Sequence, residues 1–212
     1  MVTHNFKCVV VGDSGVGKTS LLTRFVREEF RGTAGTRSTI SAALLERRIE
    51  LGNGDVVQLE IWDTAGQERF RSLNTPMYYR GAAGAVLVYD ATDAESWAHV
   101  PGWYSQLRMM GEKGCVVALC ASKLDLAAEE PEKRKIASDT AQAFADAQKI
   151  PVFRETSAKT GQGVEDLFLK LAKEMVKHKI DYPSADPKAG KIEMPDPRRA
   201  KPQGANSGGA CC

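Results

Sequence analysis

Residues Gly12-Asp13-Ser14-Gly15-Val16-Gly17-Lys18-Thr19 match the spacing G-x-x-x-x-G-K-[ST]. That spacing suits a phosphate. The glycines let successive backbone N–H groups of Ser14, Gly15, Val16 and Gly17 curl toward one point, and Lys18 brings a cation to the same point. An apolar run, Phe6–Val11, precedes the loop, and a helical pattern, Lys18–Glu29, follows it. The opening turn of such a helix, Lys18-Thr19-Ser20, adds unpaired N–H groups and a partial positive charge. Lys18 is expected to reach the β and γ phosphates of a nucleotide, and the Thr19 hydroxyl to ligate Mg²⁺.

A second set follows another apolar run: Trp62-Asp63-Thr64-Ala65-Gly66-Gln67-Glu68. Asp63 is placed to hold the Mg²⁺ shell, directly or through water. Gly66, with no side chain, lets its N–H approach a γ-phosphate. Gln67 suits the task of orienting an attacking water, since phosphoryl transfer draws most of its catalysis from positioning and charge stabilisation. Thr39, between the first helix and the second strand, offers a hydroxyl and a carbonyl to Mg²⁺ and the γ-phosphate.

The elements that must position these residues are legible as periodicity. Ala42–Leu51 and Val56–Trp62 read as strands joined by the turn residues Gly52-Asn53-Gly54-Asp55. Gly84–Tyr89, Cys115–Ala121 and Ile150–Phe153 are apolar at nearly every position, as parallel strands covered on both faces must be. Ala94–Met110, Glu132–Gln148 and Val164–His178 carry helical spacing. The alternation predicts a doubly wound α/β fold with a six-stranded, mostly parallel sheet and one antiparallel edge strand. Ligands of such sheets sit beyond the carboxyl ends of the strands, where both motifs fall.

Composition sets bounds on function. The chain has 212 residues, 42% of them hydrophobic, which supports one packed domain and a tail. A net charge of +2 argues against a nucleic-acid partner. Met1–Lys7 lacks the apolar run of a secretory signal. Cys8, Cys115 and Cys120 lie in apolar runs and read as small core residues. His4, His99 and His178 lie in no motif. After residue 179 prolines recur and then Gly and Ser, so residues 1–179 read as the folded domain and 180–212 as an extended tail.

Trp62-Asp63-Thr64-Ala65-Gly66-Gln67-Glu68-Arg69-Phe70 and Tyr78-Tyr79-Arg80-Gly81-Ala82 resemble signatures of the Ras superfamily and, within it, of the Rab family. Ser38–Ala43 and Met77–Gly81 are most similar to its early-endosomal branch. The resemblance covers about residues 5–178 and the terminal cysteines. It implies a GTP hydrolase, with GTP and GDP as substrate and product and Mg²⁺ as cofactor, that switches partners as its loops order and release. It implies an exchange factor, an activating protein, a GDP-dissociation inhibitor or escort protein, and effectors, with the domain itself a monomer. The family's guanine-reading Asn-Lys-x-Asp corresponds here to Ser122-Lys123-Leu124-Asp125. Asp125 would accept from the guanine N1–H and 2-amino group, Lys123 would lay its stem along the base, and Ala158 of Ser157-Ala158-Lys159 would offer its N–H to O6. Phe30 matches an aromatic position beside the base.

Three departures stand out. Ser122 replaces the family's Asn, and a lost hydrogen bond of this kind costs about 0.5–1.5 kcal/mol, so weaker nucleotide binding is expected. The stretch from Phe30 to Thr39 is about two residues longer than the family pattern. On the effector face, Leu44 stands with Trp62 and Tyr78 where a Phe is common. Ser14 is common in the family at a position next to the transition state, which implies slow hydrolysis.

Gly208-Gly209-Ala210-Cys211-Cys212 is not a C-a-a-X sequence. It resembles the Rab double cysteine, in which both thiols receive geranylgeranyl groups, and two lipids hold a membrane where one holds only marginally. The expected location is therefore the cytoplasmic face of intracellular membranes, the early endosome first, with a cytosolic pool. Two other readings compete with the switch. One is a nucleotide-loaded scaffold that barely hydrolyses, against which Gln67 and Thr39 argue. The other is an ATP-using phosphate-loop kinase, against which Asp125 and the 157–159 loop argue.

Overall fold

A computed structural model describes residues 1–30, 32, 43–63, 79–112 and 114–178, all within a unit spanning Met1–Tyr182. Six strands form one sheet: β1 (Thr3–Val11), β2 (Ala43–Glu50), β3 (Val56–Asp63), β4 (Gly84–Asp90), β5 (Val116–Ser122) and β6 (Val152–Glu155), in the order β2-β3-β1-β4-β5-β6. Only the β2–β3 hairpin is antiparallel, with Ala43 opposite Asp63 and Glu50 opposite Val56. The expected fold class holds.

The side-chain period of two sorts β1 between two cores. Cys8 and Val10 face α1 (Lys18–Arg27) and α6 (Val164–His178), packing with Leu21, Leu22, Phe25, Leu167, Phe168 and Leu171. Phe25 and Phe168 stack with ring centroids 3.9 Å apart. Val9 and Val11 face the other layer, made by α2 (Ala94–Ala98), α3 (Val100–Met110) and α5 (Ser138–Ala147). Each fully buried aliphatic or aromatic side chain contributes roughly 1.5–3 kcal/mol. With both faces covered, β4 and β5 are buried at every residue, which explains their unbroken apolar runs.

Three expectations need correction. Ala94–Met110 is two helices meeting at His99, because Pro101 has no N–H to bond the Trp97 carbonyl. Glu132–Gln148 begins with a 3₁₀ turn, Pro131–Lys133, and becomes helical only at Ser138. Between them the N–H groups of Lys135 and Ile136 donate to the Ala91 carbonyl, a tertiary bond that competes with the helix. The last strand runs Val152–Glu155, because the Ile150 N–H is taken by the Ala145 carbonyl at the end of α5. A short helix, α4 (Leu124–Glu129), follows β5.

Candidate nucleotide site

Gly12–Gly17 leaves the carboxyl end of β1 and delivers the chain to α1. Gly12 has φ +140, and a Cβ there would lie 2.1 Å from the Val88 carbonyl oxygen, so this position admits no side chain. Gly17, left-handed at φ 98, caps α1 without a side-chain hydrogen bond, and the first turn carries no acidic residue. The opening N–H groups of α1 therefore keep their capacity for an anion. Ser14, Gly15 and Thr19 are exposed, Ser20 is half-buried and Val16 is buried beneath them.

Lys18 lies along the loop interior, only 5% exposed, with Nζ donating to the carbonyls of Gly12 (2.9 Å) and Asp13 (2.7 Å). Burial pushes its pKa down to about 8, while the charges of Asp63 and Asp13 pull it back up. A phosphate placed beside it would favour the charged form further. Thr19 Oγ1 donates to Asp63 Oδ2 at 2.7 Å, which brings the end of β3 to the start of α1. The other oxygen, Asp63 Oδ1, is buried without a hydrogen-bond partner among the described residues, and burial pushes the carboxyl above its ordinary range. A buried, unsatisfied carboxylate oxygen beside a Thr hydroxyl and a phosphate cradle fits Mg²⁺, which binds through one or two protein oxygens plus substrate phosphates.

The residues expected to read a base stand at the ends of β5 and β6. Ser122 is the last residue of β5, and its Oγ lies 2.5 Å from the Val16 carbonyl and 2.9 Å from that of Tyr89. A single hydroxyl proton serves one of these at a time. The serine thus keeps a tie to the phosphate loop that its short side chain was expected to lose. Lys123 adopts the left-handed conformation at φ 59, and its Nζ pairs with Asp90 Oδ2 at 2.7 Å. Asp125, in the first turn of α4, accepts from Ser157 Oγ at 2.6 Å. Thr156 N–H donates to Ala121 and Leu124 N–H to Thr156, stitching the β5 end to the 157–159 loop. Ser157 is buried, Ala158 half-buried and Lys159 exposed, with Lys159 Nζ on Glu129 at 2.7 Å. Phe30 is 38% exposed beyond the end of α1.

On the far edge, Leu44 and Trp62 are direct cross-strand partners, with Leu44 49% exposed and Lys7 Nζ 4.7 Å above the Trp62 ring. Thr39, Gly66, Gln67, Tyr78, Cys211 and Cys212 lie outside the described residues. One group escaped the sequence reading. Asp13 Oδ1 accepts from Trp103 Nε1 at 2.7 Å, and Asp13 Oδ2 lies 2.5 Å from His99 Nδ1. The phosphate loop is therefore anchored to the α2–α3 junction. The signal that could have found this was Pro101 within a helical pattern, since it marks the break that presents His99.

Residues 7–177 match the Ras family. The chain is 45% identical over 175 residues to the GTP-binding protein ypt5 of Schizosaccharomyces pombe, covering 82% of this chain and 80% of that one. It is 43% identical over 189 residues to the Ras-related protein Rab-5A of Dictyostelium discoideum, with 89% and 88% covered. It is 39% identical over 208 residues to the Ras-related protein Rab5 of Nicotiana tabacum, with 98% and 95% covered. With the cradle, the carboxylate beside Thr19 and the two base loops converging at one end of the sheet, the chain belongs to the Ras family and to its Rab branch, the small GTPases that hydrolyse GTP and regulate vesicle traffic.

Proposed function

We propose that this GTPase works on early-endosomal membranes and that its cycle runs through the residues gathered at the carboxyl ends of β1, β3, β5 and β6. The observation that carries the site assignment is the contact between its halves: Ser122 Oγ, at the base-reading end of β5, meets the Val16 carbonyl of the phosphate loop at 2.5 Å. The contact sets the two loops close enough for one nucleotide to present its phosphates to the first and its base to the second.

In this reading Lys18 and the N–H groups of Ser14 to Ser20 grip the phosphates. Thr19 and Asp63, with Thr39, would hold Mg²⁺, which would neutralise phosphate charge. Gly66 offers its N–H to the γ-phosphate, and Gln67 orients water for in-line attack. Asp125 sorts guanine from adenine, because adenine presents no N1–H and no 2-amino group. Lys123 and Phe30 cover the base, and Ala158 N–H meets O6. Residues 1–179 act as the GTP-binding domain. Residues 180–212 act as a tether, with geranylgeranyl groups on Cys211 and Cys212, and a cytosolic pool is kept by a GDP-dissociation inhibitor. Exchange factor, activating protein and effectors act on the switch segments, and Leu44, Trp62 and Tyr78 form the effector face. The endosomal assignment is supported by the similarity to Rab5-named relatives.

Two measurements test this. Purified native protein, denatured and its supernatant chromatographed, should release GDP or GTP; release of adenine nucleotide alone would end the reading. Asp125→Ala should lose most of the preference for GTP over ATP in competition binding, and a preference as strong as the parent's would remove Asp125 from its role.

A further inference from the structure

Arg24 lies on α1, six positions after Lys18, and is half-buried. Its guanidinium donates to three backbone carbonyls. Nε reaches the Ala158 oxygen at 2.6 Å, Nη2 the Lys159 oxygen at 2.9 Å, and Nη1 the Glu28 oxygen at 2.5 Å. Glu28 is left-handed at φ 60, and its N–H returns to the Arg24 carbonyl at 3.0 Å, closing the helix end. One planar side chain therefore seals the carboxyl end of α1 and holds two consecutive peptides of the 157–159 loop.

The neighbouring part of that loop is fixed independently. Ser157 Oγ donates to Asp125, Ser157 N–H donates to the Gln162 carbonyl at 3.0 Å, and Gly161 N–H donates to the Ser157 carbonyl at 2.8 Å. Ala158 sits between these anchors and the Arg24 fork, so the direction of its own N–H is set from both sides. The helix that supplies the fork is the one that begins with Lys18 and Thr19.

We propose that Arg24 is a positioning residue for guanine recognition: it couples the base loop to the phosphate helix and fixes the distance and direction at which Ala158 meets the 6-position of the base. This rests on the guanine reading given above. A lysine cannot reproduce it, because a point charge on a flexible stem lacks the rigid fork that meets several acceptors at once.

The test uses full-length protein with Mg²⁺ and compares the parent, Arg24→Ala and Arg24→Lys for binding of GDP, 6-thioguanosine diphosphate and ADP. The thiocarbonyl is a poor acceptor for the Ala158 N–H, yet the analogue keeps both groups that Asp125 reads. Arg24→Ala should bind GDP about tenfold more weakly or worse, as expected for loss of hydrogen bonds from a charged donor. Its preference for GDP over the thio analogue should also narrow. Arg24→Lys, which keeps the charge and stem and guards against a variant that does not fold, should fall between. If either folded variant keeps the parental ratio of GDP to thio analogue, Arg24 only stabilises α1 and the inference is overturned. A parent that binds ADP as tightly as GDP, or the thio analogue as tightly as GDP, would overturn the base-reading assignment itself, and this inference with it.

Discussion

At the residue scale, Ser122 ties the end of β5 to the loop between β1 and α1 through a single hydroxyl. Its hydroxyl faces two carbonyls, Val16 and Tyr89, with one proton to share. Removing that proton in Ser122→Ala leaves the β5 end without its tie to the phosphate loop. GDP release should speed up about two- to tenfold, the span of one neutral hydrogen bond. Ser122→Asn supplies a second donor and should slow release relative to the parent. Both rates are read from stopped-flow release of a fluorescent GDP. Faster release from the asparagine variant would show that the serine is the better fit.

At the scale of elements, the site depends on anchors that reach across the sheet. Asp13 is held by Trp103 of α3 and by His99 at the α2–α3 junction, so the layer opposite α1 fixes one side of the loop. Trp103→Phe keeps an aromatic ring beside Val100 and Leu107 but removes the indole donor together with part of the buried ring, so any packing loss adds to the effect. A carboxylate deprived of a donor costs about 1–3 kcal/mol, which should appear as a loss of at least that size in the urea unfolding free energy. An unchanged unfolding free energy would mean that water replaces the indole at no cost. The same elements account for what was legible. α6 runs Val164–His178 as its spacing predicts, because its apolar stripe is unbroken and Gly163, with φ +70, fits just ahead of it. Lys135 and Ile136 also lie in a helical pattern, yet the Ala91 carbonyl claims them. Periodicity reports the face a segment buries and carries no information about a distant acceptor.

At the scale of the whole molecule, the two cores hold three thiols. Burial pushes Cys115 and Cys120 up to about 12, and Cys8 higher still, from an ordinary value of 9.0. A thiol raised in the folded state contributes stability below the unfolded value, and that contribution is lost as pH rises through the folded one. Unfolding free energy should therefore fall between pH 9 and about 12, less steeply in Cys120→Ala than in the parent. At pH 8 these three should resist iodoacetamide until denaturant opens the fold, as quantified by mass spectrometry of the alkylated peptides. Cys211 and Cys212 belong to a different part of the chain, and no helix among the described residues is long and apolar enough to cross a membrane. If two lipids supply the attachment, Cys211→Ser with Cys212→Ser should move the protein from the membrane to the soluble fraction in cell fractionation, and each single variant should bind only marginally.

The sequence by itself determined the parts whose chemistry is local. A glycine that must curl and a lysine six residues later announce a phosphate through their spacing along one stretch of chain, and Asp63, followed by Gly66 and Gln67 at the end of an apolar run, announces a second, separate stretch suited to a cation. The alternation of apolar runs determined the sheet, because a strand covered on both faces has no polar position to spare. Tertiary structure alone decided which residues hold those parts in place. Arg24 reaches Ala158 across 134 positions, Trp103 reaches Asp13 across 90, and Ser122 reaches Val16 across 106. Such pairs have no shared period and no fixed offset. They exist only because six strands, packed side by side, bring the ends of distant segments to one edge, where a carbonyl left unpaired would be costly and the nearest donor takes it.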